Sequence, residues 1–263
     1  MSGLRLAFGL TAAAMLGACQ GAVGPADETE LPADSSARIA DSAVLAAEAS
    51  ERAGDWIGAA QYWRGLFQGD PANPRYAFGL GESLRHLGHF EEAAQVLHEA
   101  LRSHTEDATL QASYGKALLA AGNTREAIAT LERAAVLAPA DWQVQSALGV
   151  AYGMDNRPDL ADQHFRQALA LAPGNPVVLT NLALHRAIEG RLDEALGLME
   201  EAARSSEATS QVRQNLALLL ALDGQMERAE EIVRGEMPRD AADRQVAFLR
   251  SLQGDETIDR GVQ

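Results

Sequence analysis

Few side chains in this sequence have the types and spacing needed for covalent or metal chemistry. The 263 residues include one cysteine, Cys19, and six histidines. His86 and His89 flank Gly88 and do not share a helix face, and no His-Glu-x-x-His run or cysteine pair occurs. The glycines recur at regular intervals, which indicates a packing role rather than a phosphate-binding loop. The sequence therefore predicts no catalytic site, no metal and no cofactor, and Cys19 is the one reactive residue that needs an explanation.

Cys19 follows a segment of the kind that directs export. Arg5 is the only charged residue before it, and the thirteen residues 6–18 (LAFGLTAAAMLGA) are apolar or small. A basic start, a short apolar core and small residues at the boundary are typical of a secretory signal. A membrane-spanning helix needs about 20 residues, and the alternative of a buried N-terminal helix lacks an amphipathic stripe. We expect a signal peptide at 1–18 and a flexible linker at 19–39, which is rich in Gly, Ala, Pro and acidic residues.

The residues Leu16-Gly17-Ala18-Cys19 resemble the lipobox of bacterial lipoproteins. The resemblance implies that Cys19 is acylated through a thioether and becomes the first residue of the mature protein. Each buried methylene of an acyl chain contributes about 0.8 kcal/mol to membrane attachment. The next residue is Gln20 rather than Asp, which by the same resemblance implies the outer membrane, facing the periplasm. A mature chain without another cysteine has no disulfide.

The composition limits the partners of the chain. Its formal net charge is -15, so it is a poor binder of nucleic acid and of anionic lipid. Membrane attachment must then come from the acyl group. Hydrophobic residues make up 47% of the chain, mostly Ala and Leu, and aromatics only 5%, which favours helices. We expect protein partners, and neither nucleic acid nor a small-molecule substrate.

A 34-residue repeat covers residues 40–243 without a gap. Its six units are 40–73, 74–107, 108–141, 142–175, 176–209 and 210–243. The eighth position is always Ala or Gly and the twentieth always Ala, which lets two helices cross closely. The fifteenth is Gly or Asn, which tolerate the left-handed conformation that ends a helix. The twenty-fourth is a large apolar residue that fills the space between helices.

This pattern resembles the tetratricopeptide repeat (TPR). The resemblance implies an all-α solenoid of about six helix–turn–helix repeats, in a right-handed superhelix with a concave groove, where each repeat buries its apolar face against its neighbours. After the last repeat, Val246, Leu249 and Leu252 have helical spacing, with Phe248 beside them. We therefore expect a C-terminal capping helix at 241–252 and a loose tail at 253–263.

In TPR proteins, positions 2, 5, 9, 12 and 13 of the first helix of each repeat line the groove. Carried over to this chain, the resemblance places there Phe78, Arg85, Val150, Met154, Val177, Leu184, Ile188, Gln214, Leu218 and Leu222. The groove would be polar at its N-terminal end and apolar at its C-terminal end. Exposed apolar surface of this extent marks a partner site that an amphipathic segment would cover. The alternative is that the C-terminal helix or tighter packing buries these residues, and the sequence leaves both open.

Residues 212–252 are similar to the TadD family of tight-adherence (Flp) pilus assembly proteins. Those proteins are also TPR lipoproteins and follow their last repeat with a Pro-containing link and an Ala-Phe/Tyr-Leu-Arg helix, here Ala247 to Arg250. The resemblance implies a lipid-anchored scaffold that assists assembly of the pilus secretion machinery, as a pilotin-like helper of the outer-membrane secretin. Two alternatives stay open: a periplasmic adaptor for cell-wall enzymes or outer-membrane assembly, and an enzyme with an unrecognised site.

The expected anchor gives a direct prediction. Replacing Cys19 with alanine removes the thiol that would carry the acyl group, so Cys19→Ala should move the protein from the membrane fraction to the soluble fraction after ultracentrifugation. Its far-ultraviolet circular dichroism should stay unchanged, because the repeats begin about twenty residues later. Persistent membrane association of the variant would rule out the acyl anchor.

Overall fold

The computed structural model describes residues 33–259, which contain thirteen α-helices and no strand. Twelve helices form six consecutive hairpins, and one helix follows. The first helices of the hairpins are α1 (Ala33–Arg52), α3 (Pro74–His86), α5 (Ala108–Ala120), α7 (Trp142–Met154), α9 (Pro176–Ile188) and α11 (Ser210–Leu222). The second helices are α2 (Trp56–Gly69), α4 (Phe90–Leu101), α6 (Thr124–Leu137), α8 (Pro158–Leu171), α10 (Leu192–Arg204) and α12 (Met226–Glu236), and the final helix is α13 (Arg239–Asp259).

The packing order of the helices is that of a solenoid. From α2 to α13, each helix packs against the next one along the chain. The first helices α3, α5, α7, α9 and α11 also contact one another in succession, so they form a continuous layer. The predicted all-α solenoid of helix–turn–helix repeats is confirmed, and the layer of first helices is the surface on which the groove was expected.

The helix boundaries follow the repeat because local signals recur with it. The residue before α3, α5, α7 and α9 is Asn or Asp, whose side-chain oxygen accepts a hydrogen bond of 2.8–3.1 Å from a backbone N–H in the first turn. After each first helix the chain takes a left-handed conformation, as predicted, with φ between 57° and 84°. The residues in that conformation are Gly54, Gly88, Gly122, Asn156, Gly190 and Gly224.

Small residues allow the two helices of a hairpin to approach closely. The alanine at the twentieth position, such as Ala161, is fully buried in all six repeats. At the eighth position, a Cβ added to Gly149 would lie 2.7 Å from the ring of Phe165, the residue at the twenty-fourth position of the same repeat. Gly81 and Gly115 face leucines in the same way, at 2.7 and 2.6 Å. Such separations are shorter than van der Waals contact, so these positions have no room for a side chain.

α13 closes the C-terminal end of the stack. It packs on α11 and α12, and Val246 and Leu249 are buried in the same core cluster as residues of those helices. Leu252 is partly buried against that cluster, whereas Phe248 is 52% exposed. α13 thus covers apolar surface of the last hairpin that would otherwise face water.

Two helices are longer than predicted. α13 extends to Asp259, so the loose tail predicted from residue 253 is wrong for residues 253–259. α1 begins at Ala33, inside the segment 19–39 that was predicted to be a linker. A helix that has started gains one hydrogen bond for each residue that it adds. No proline occurs within residues 33–52 or after position 252, so none interrupts either helix.

The expected signal peptide, Cys19 and most of the expected linker lie outside the described residues. Among the helices of residues 33–259, none is both long and apolar enough to cross a membrane.

The packing of Gly149 leads to a paired prediction. Gly149→Ala should lower the free energy of unfolding by about 1–3 kcal/mol, because the methyl group would force the buried Phe165 ring out of place. Gly197 lies in the middle of α10 with nothing within 4 Å of an added Cβ. Gly197→Ala should therefore raise that free energy by about 0.5–1 kcal/mol through helix propensity alone. Urea denaturation measures both changes, and equal effects would contradict the packing described here.

Candidate protein-binding groove

Two adjoining cavities lie along the layer of first helices. The first has a volume of about 620 Å³ and is lined mainly by α7 and α9. The second, of about 650 Å³, is lined by α5, α7 and α9 and by Arg85 of α3. Val150, Met154 and Asn181 belong to both linings, so the cavities form one continuous depression. We refer to the two cavities together as the groove.

Six of the ten predicted groove residues line it. They are Arg85, Val150, Met154, Val177, Leu184 and Ile188. Positions 9 and 13 of a repeat are four residues apart and therefore share a helix face, which explains why Val150 and Met154 occur together on α7, as do Leu184 and Ile188 on α9. The other four, Phe78, Gln214, Leu218 and Leu222, line neither cavity. Lining of the two cavities does not test partner binding, so the role of all ten residues in binding stays a prediction.

The apolar part of the groove is open to solvent. Ile188 is 86% exposed, Met154 57% and Val177 51%. Leu184 and Leu218 differ from them, because both are only partly exposed and pack against the core cluster of the last repeats. Of the two alternatives left by the sequence, the open groove holds for Met154, Val177 and Ile188, whereas Leu184 and Leu218 contribute to the core.

The partly buried carboxylate of Glu82 organises the polar end of the groove. Glu82 accepts a hydrogen bond of 2.8 Å from Arg85 Nη2 and another from the hydroxyl of Ser113, and Lys116 Nζ lies 4.0 Å from its Oε1. Burial alone would raise the pKa of the Glu82 carboxyl, but the hydrogen bond from Arg85, the charge of Lys116 and the hydrogen bond from Ser113 together hold this pKa below its ordinary value. Arg85 and Lys116 both line the groove, and Glu82 fixes their position.

A second charged cluster lies at the other end of the groove. His185 and Glu189 belong to the groove lining, and Asp162 of α8 lies beside them. Arg186 Nη1 is 2.6 Å from oxygen atoms of both Asp162 and Glu189. Burial alone would raise the pKa of Asp162, but the close contact with Arg186 and its charge hold this pKa below the ordinary value, so the group is a carboxylate. The sequence analysis missed this cluster, because its members come from two repeats and match no linear motif.

Part of the sequence matches the model of a known repeat family. The tetratricopeptide repeat family model matches residues 52–117 and 84–151. None of the curated proteins compared with this sequence matches it. The stacked hairpins and the repeat match together define the fold as an all-α solenoid of tetratricopeptide repeats.

Solved structures share this fold. TTC0263, a thermophilic TPR protein of Thermus thermophilus, superimposes with a TM-score of 0.62 at 20% identity, covering 69% of this chain and 98% of its own. PilW, described as a widely conserved type IV pilus biogenesis factor, gives a TM-score of 0.60 at 18% identity, covering 75% and 91%. PilF of Pseudomonas aeruginosa gives 0.55 at 18% identity, covering 76% and 90%. At these identities the likeness establishes the fold.

The ion pairs at the polar end of the groove predict how the free energy of unfolding depends on pH. Glu82→Gln leaves the charges of Arg85 and Lys116 without their partner, so it should lower the free energy of unfolding at pH 7 by about 1–3 kcal/mol. Because the folded-state pKa of Glu82 lies below the ordinary 4.5, its contribution is complete above that pH and is lost as the pH falls through the folded-state pKa. Urea denaturation of both proteins between pH 7 and pH 3 should show the difference shrinking toward zero in acid.

A matched control is Glu99→Gln. Glu99 pairs with Arg102 at 3.3 Å, but its side chain is 52% exposed, so this variant should change the free energy of unfolding by less than about 0.5 kcal/mol at every pH. A difference between wild type and Glu82→Gln that stayed constant down to pH 3 would contradict the role of Glu82.

Proposed function

We propose that this chain is a lipid-anchored scaffold that assists assembly of the Flp/Tad pilus secretion machinery, acting as a pilotin-like partner of the outer-membrane secretin. The single observation that carries the binding role is the open apolar surface of the groove, formed by Met154, Val177 and Ile188. Exposed apolar surface that is concave and bordered by charge is typical of a protein-interaction site. The pilus assignment is supported by the similarity of residues 212–252 to TadD proteins and by the pilus-biogenesis descriptions of PilW and PilF, which share this fold.

The proposed binding mode is an amphipathic segment of the partner lying across α5, α7 and α9. Its apolar side chains would contact Met154, Val177 and Ile188, which lose their exposure to water on binding. An acidic residue of the partner near the other end would meet Arg85 and Lys116, which keep 29% and 24% of their side-chain surface exposed. Truncating a central apolar contact then weakens binding more than changing a charge at the rim does.

The proposed location is the outer membrane, with the repeats in the periplasm and Cys19 carrying the lipid. The acidic net charge of -15 supports this arrangement, since it disfavours direct attachment of the chain to anionic lipid headgroups. The TPR fold itself is typical of non-catalytic scaffolds, and a role as a binding protein requires no reactive side chain.

Genetics with groove variants tests the proposal. Deleting the gene should abolish surface Flp fibres and reduce secretin multimers, and the wild-type gene should restore both. Met154→Glu or Ile188→Glu should fail to restore them and should weaken binding to purified secretin at least tenfold, equivalent to about 1.4 kcal/mol. Both residues are exposed, so melting temperatures should change little.

The control variant is Val136→Glu. Val136 is 81% exposed on α6 and lines neither cavity, so a glutamate there should complement fully. Normal fibres in the deletion strain would contradict the pilus assignment. If the wild-type protein instead retains cell-wall enzymes through the same groove residues, the adaptor function replaces it.

A further inference from the structure

Three side chains at the end of the groove bring metal-binding atoms together. Asp162 belongs to α8 in the fourth repeat, and His185 and Glu189 lie at the end of α9 in the fifth. His185 Nε2 lies 3.6 Å from Glu189 Oε1 and 3.9 Å from Asp162 Oδ1, and one donor atom from each residue lies within 4.8 Å of the other two. His185 and Glu189 are four residues apart and therefore share a helix face.

One of these donor atoms, His185 Nε2, is buried and has no hydrogen-bond partner. His185 is 9% exposed and directs its Nε2 toward the two carboxylates. Asp162 Oδ1 is paired with Arg186 Nη1 at 2.6 Å. A buried polar atom without a hydrogen bond is unfavourable for folding, and native proteins rarely keep one without a functional or ligand-binding reason. A cation bound between His185 Nε2 and the two carboxylates would satisfy this nitrogen.

We propose that Asp162, His185 and Glu189 bind one divalent transition-metal ion, of which Zn²⁺ fits the donor set best. Imidazole nitrogen combined with carboxylate oxygen is typical of zinc and related ions, whereas Ca²⁺ and Mg²⁺ prefer oxygen alone. Zinc binds nitrogen and oxygen at about 2.0–2.2 Å, which places tetrahedral ligands about 3.3–3.6 Å apart. The separations of 3.6 and 3.9 Å from His185 Nε2 are close to that geometry, and the two carboxylate oxygens lie within 4.8 Å of each other.

Arg186 holds the carboxylates in place beside the ion. Its Nη1 contacts Glu189 through Oε2, which leaves Oε1 directed toward His185. The same nitrogen lies 2.6 Å from Asp162 Oδ1, so Arg186 acts as an outer-shell residue that orients the ligands.

The charges of the side chains around the site favour a bound cation. Arg186 and Arg191 lie against three carboxylates, those of Asp162, Glu189 and Glu194. With a neutral imidazole, this group therefore carries one net negative charge, which favours binding of a positive ion.

The site has an entry route and a structural consequence. His185 and Glu189 line the first cavity of the groove, so an ion can enter from it and water from it can complete the coordination. Because the ligands come from α8 and α9, bound metal would link the fourth repeat to the fifth beside Ile188. This inference goes beyond the proposed scaffold function and does not depend on the identity of the protein partner.

Calorimetry on the full chain tests the proposal. After treatment with a chelator and its removal, titration with Zn²⁺ should give one saturable site per chain, and Co²⁺ should give visible absorption bands of a nitrogen- and oxygen-bound ion. His185→Ala and Glu189→Gln should each weaken Zn²⁺ binding at least tenfold. Glu189→Gln removes the charge while keeping the side-chain shape, so it covers the case in which His185→Ala unfolds the chain by exposing Phe165, whose ring centre is 5.5 Å from that of His185.

The matched control is His164→Ala. His164 also belongs to α8, but its Nδ1 lies 2.8 Å from Gln145 Oε1 and it takes no part in the cluster, so this variant should bind Zn²⁺ as the wild type does. Absence of saturable Zn²⁺ binding would overturn the proposal. Binding that His185→Ala and Glu189→Gln both leave unchanged would overturn it as well.

Discussion

The close approach of the two helices within each hairpin is the constraint on which the rest of the structure depends. At Gly149 the first helix touches the ring of Phe165 with no room for a side chain, and the buried Ala161 allows the same approach from the second helix. This contact recurs every 34 residues, so the hairpins share one internal geometry, and successive hairpins pack on one another. The first helices form one layer, and the groove lies along that layer. The binding surface is thus a consequence of packing inside the repeats.

Much of this fold could be predicted because its determinants are local and repeated. A residue in the left-handed conformation ends each first helix. The five glycines and Asn156 at the fifteenth position of the repeat predict those ends. The apolar spacing of Val246 and Leu249 predicts the buried face of α13. The ends of α1 and α13 are less predictable, because nothing in the sequence marks where a terminal helix stops once packing has started it.

The exposed face of the first helices was predictable, but the depth to which each of its residues is covered was not. Periodicity places Met154 and Ile188 on the solvent side of their helices, and they are exposed there. Periodicity does not reveal how deeply neighbouring repeats cover a residue. Leu218 is therefore partly buried against the core cluster, whereas Ile188 is exposed. The cluster of Asp162, His185 and Glu189 is harder still to foresee, since 23 positions separate Asp162 from His185 and only the stacking of α8 on α9 joins them.

The central claim is that the open apolar surface of the groove is where this protein holds its partner. Site-specific photo-crosslinking in living cells measures that contact most directly, with a photoreactive phenylalanine analogue replacing Met154 in one strain and Val136 in another. The account predicts an adduct with the pilus secretin from position 154 and none from position 136. Crosslinking of the secretin from position 136 alone, or equally from both positions, would contradict it.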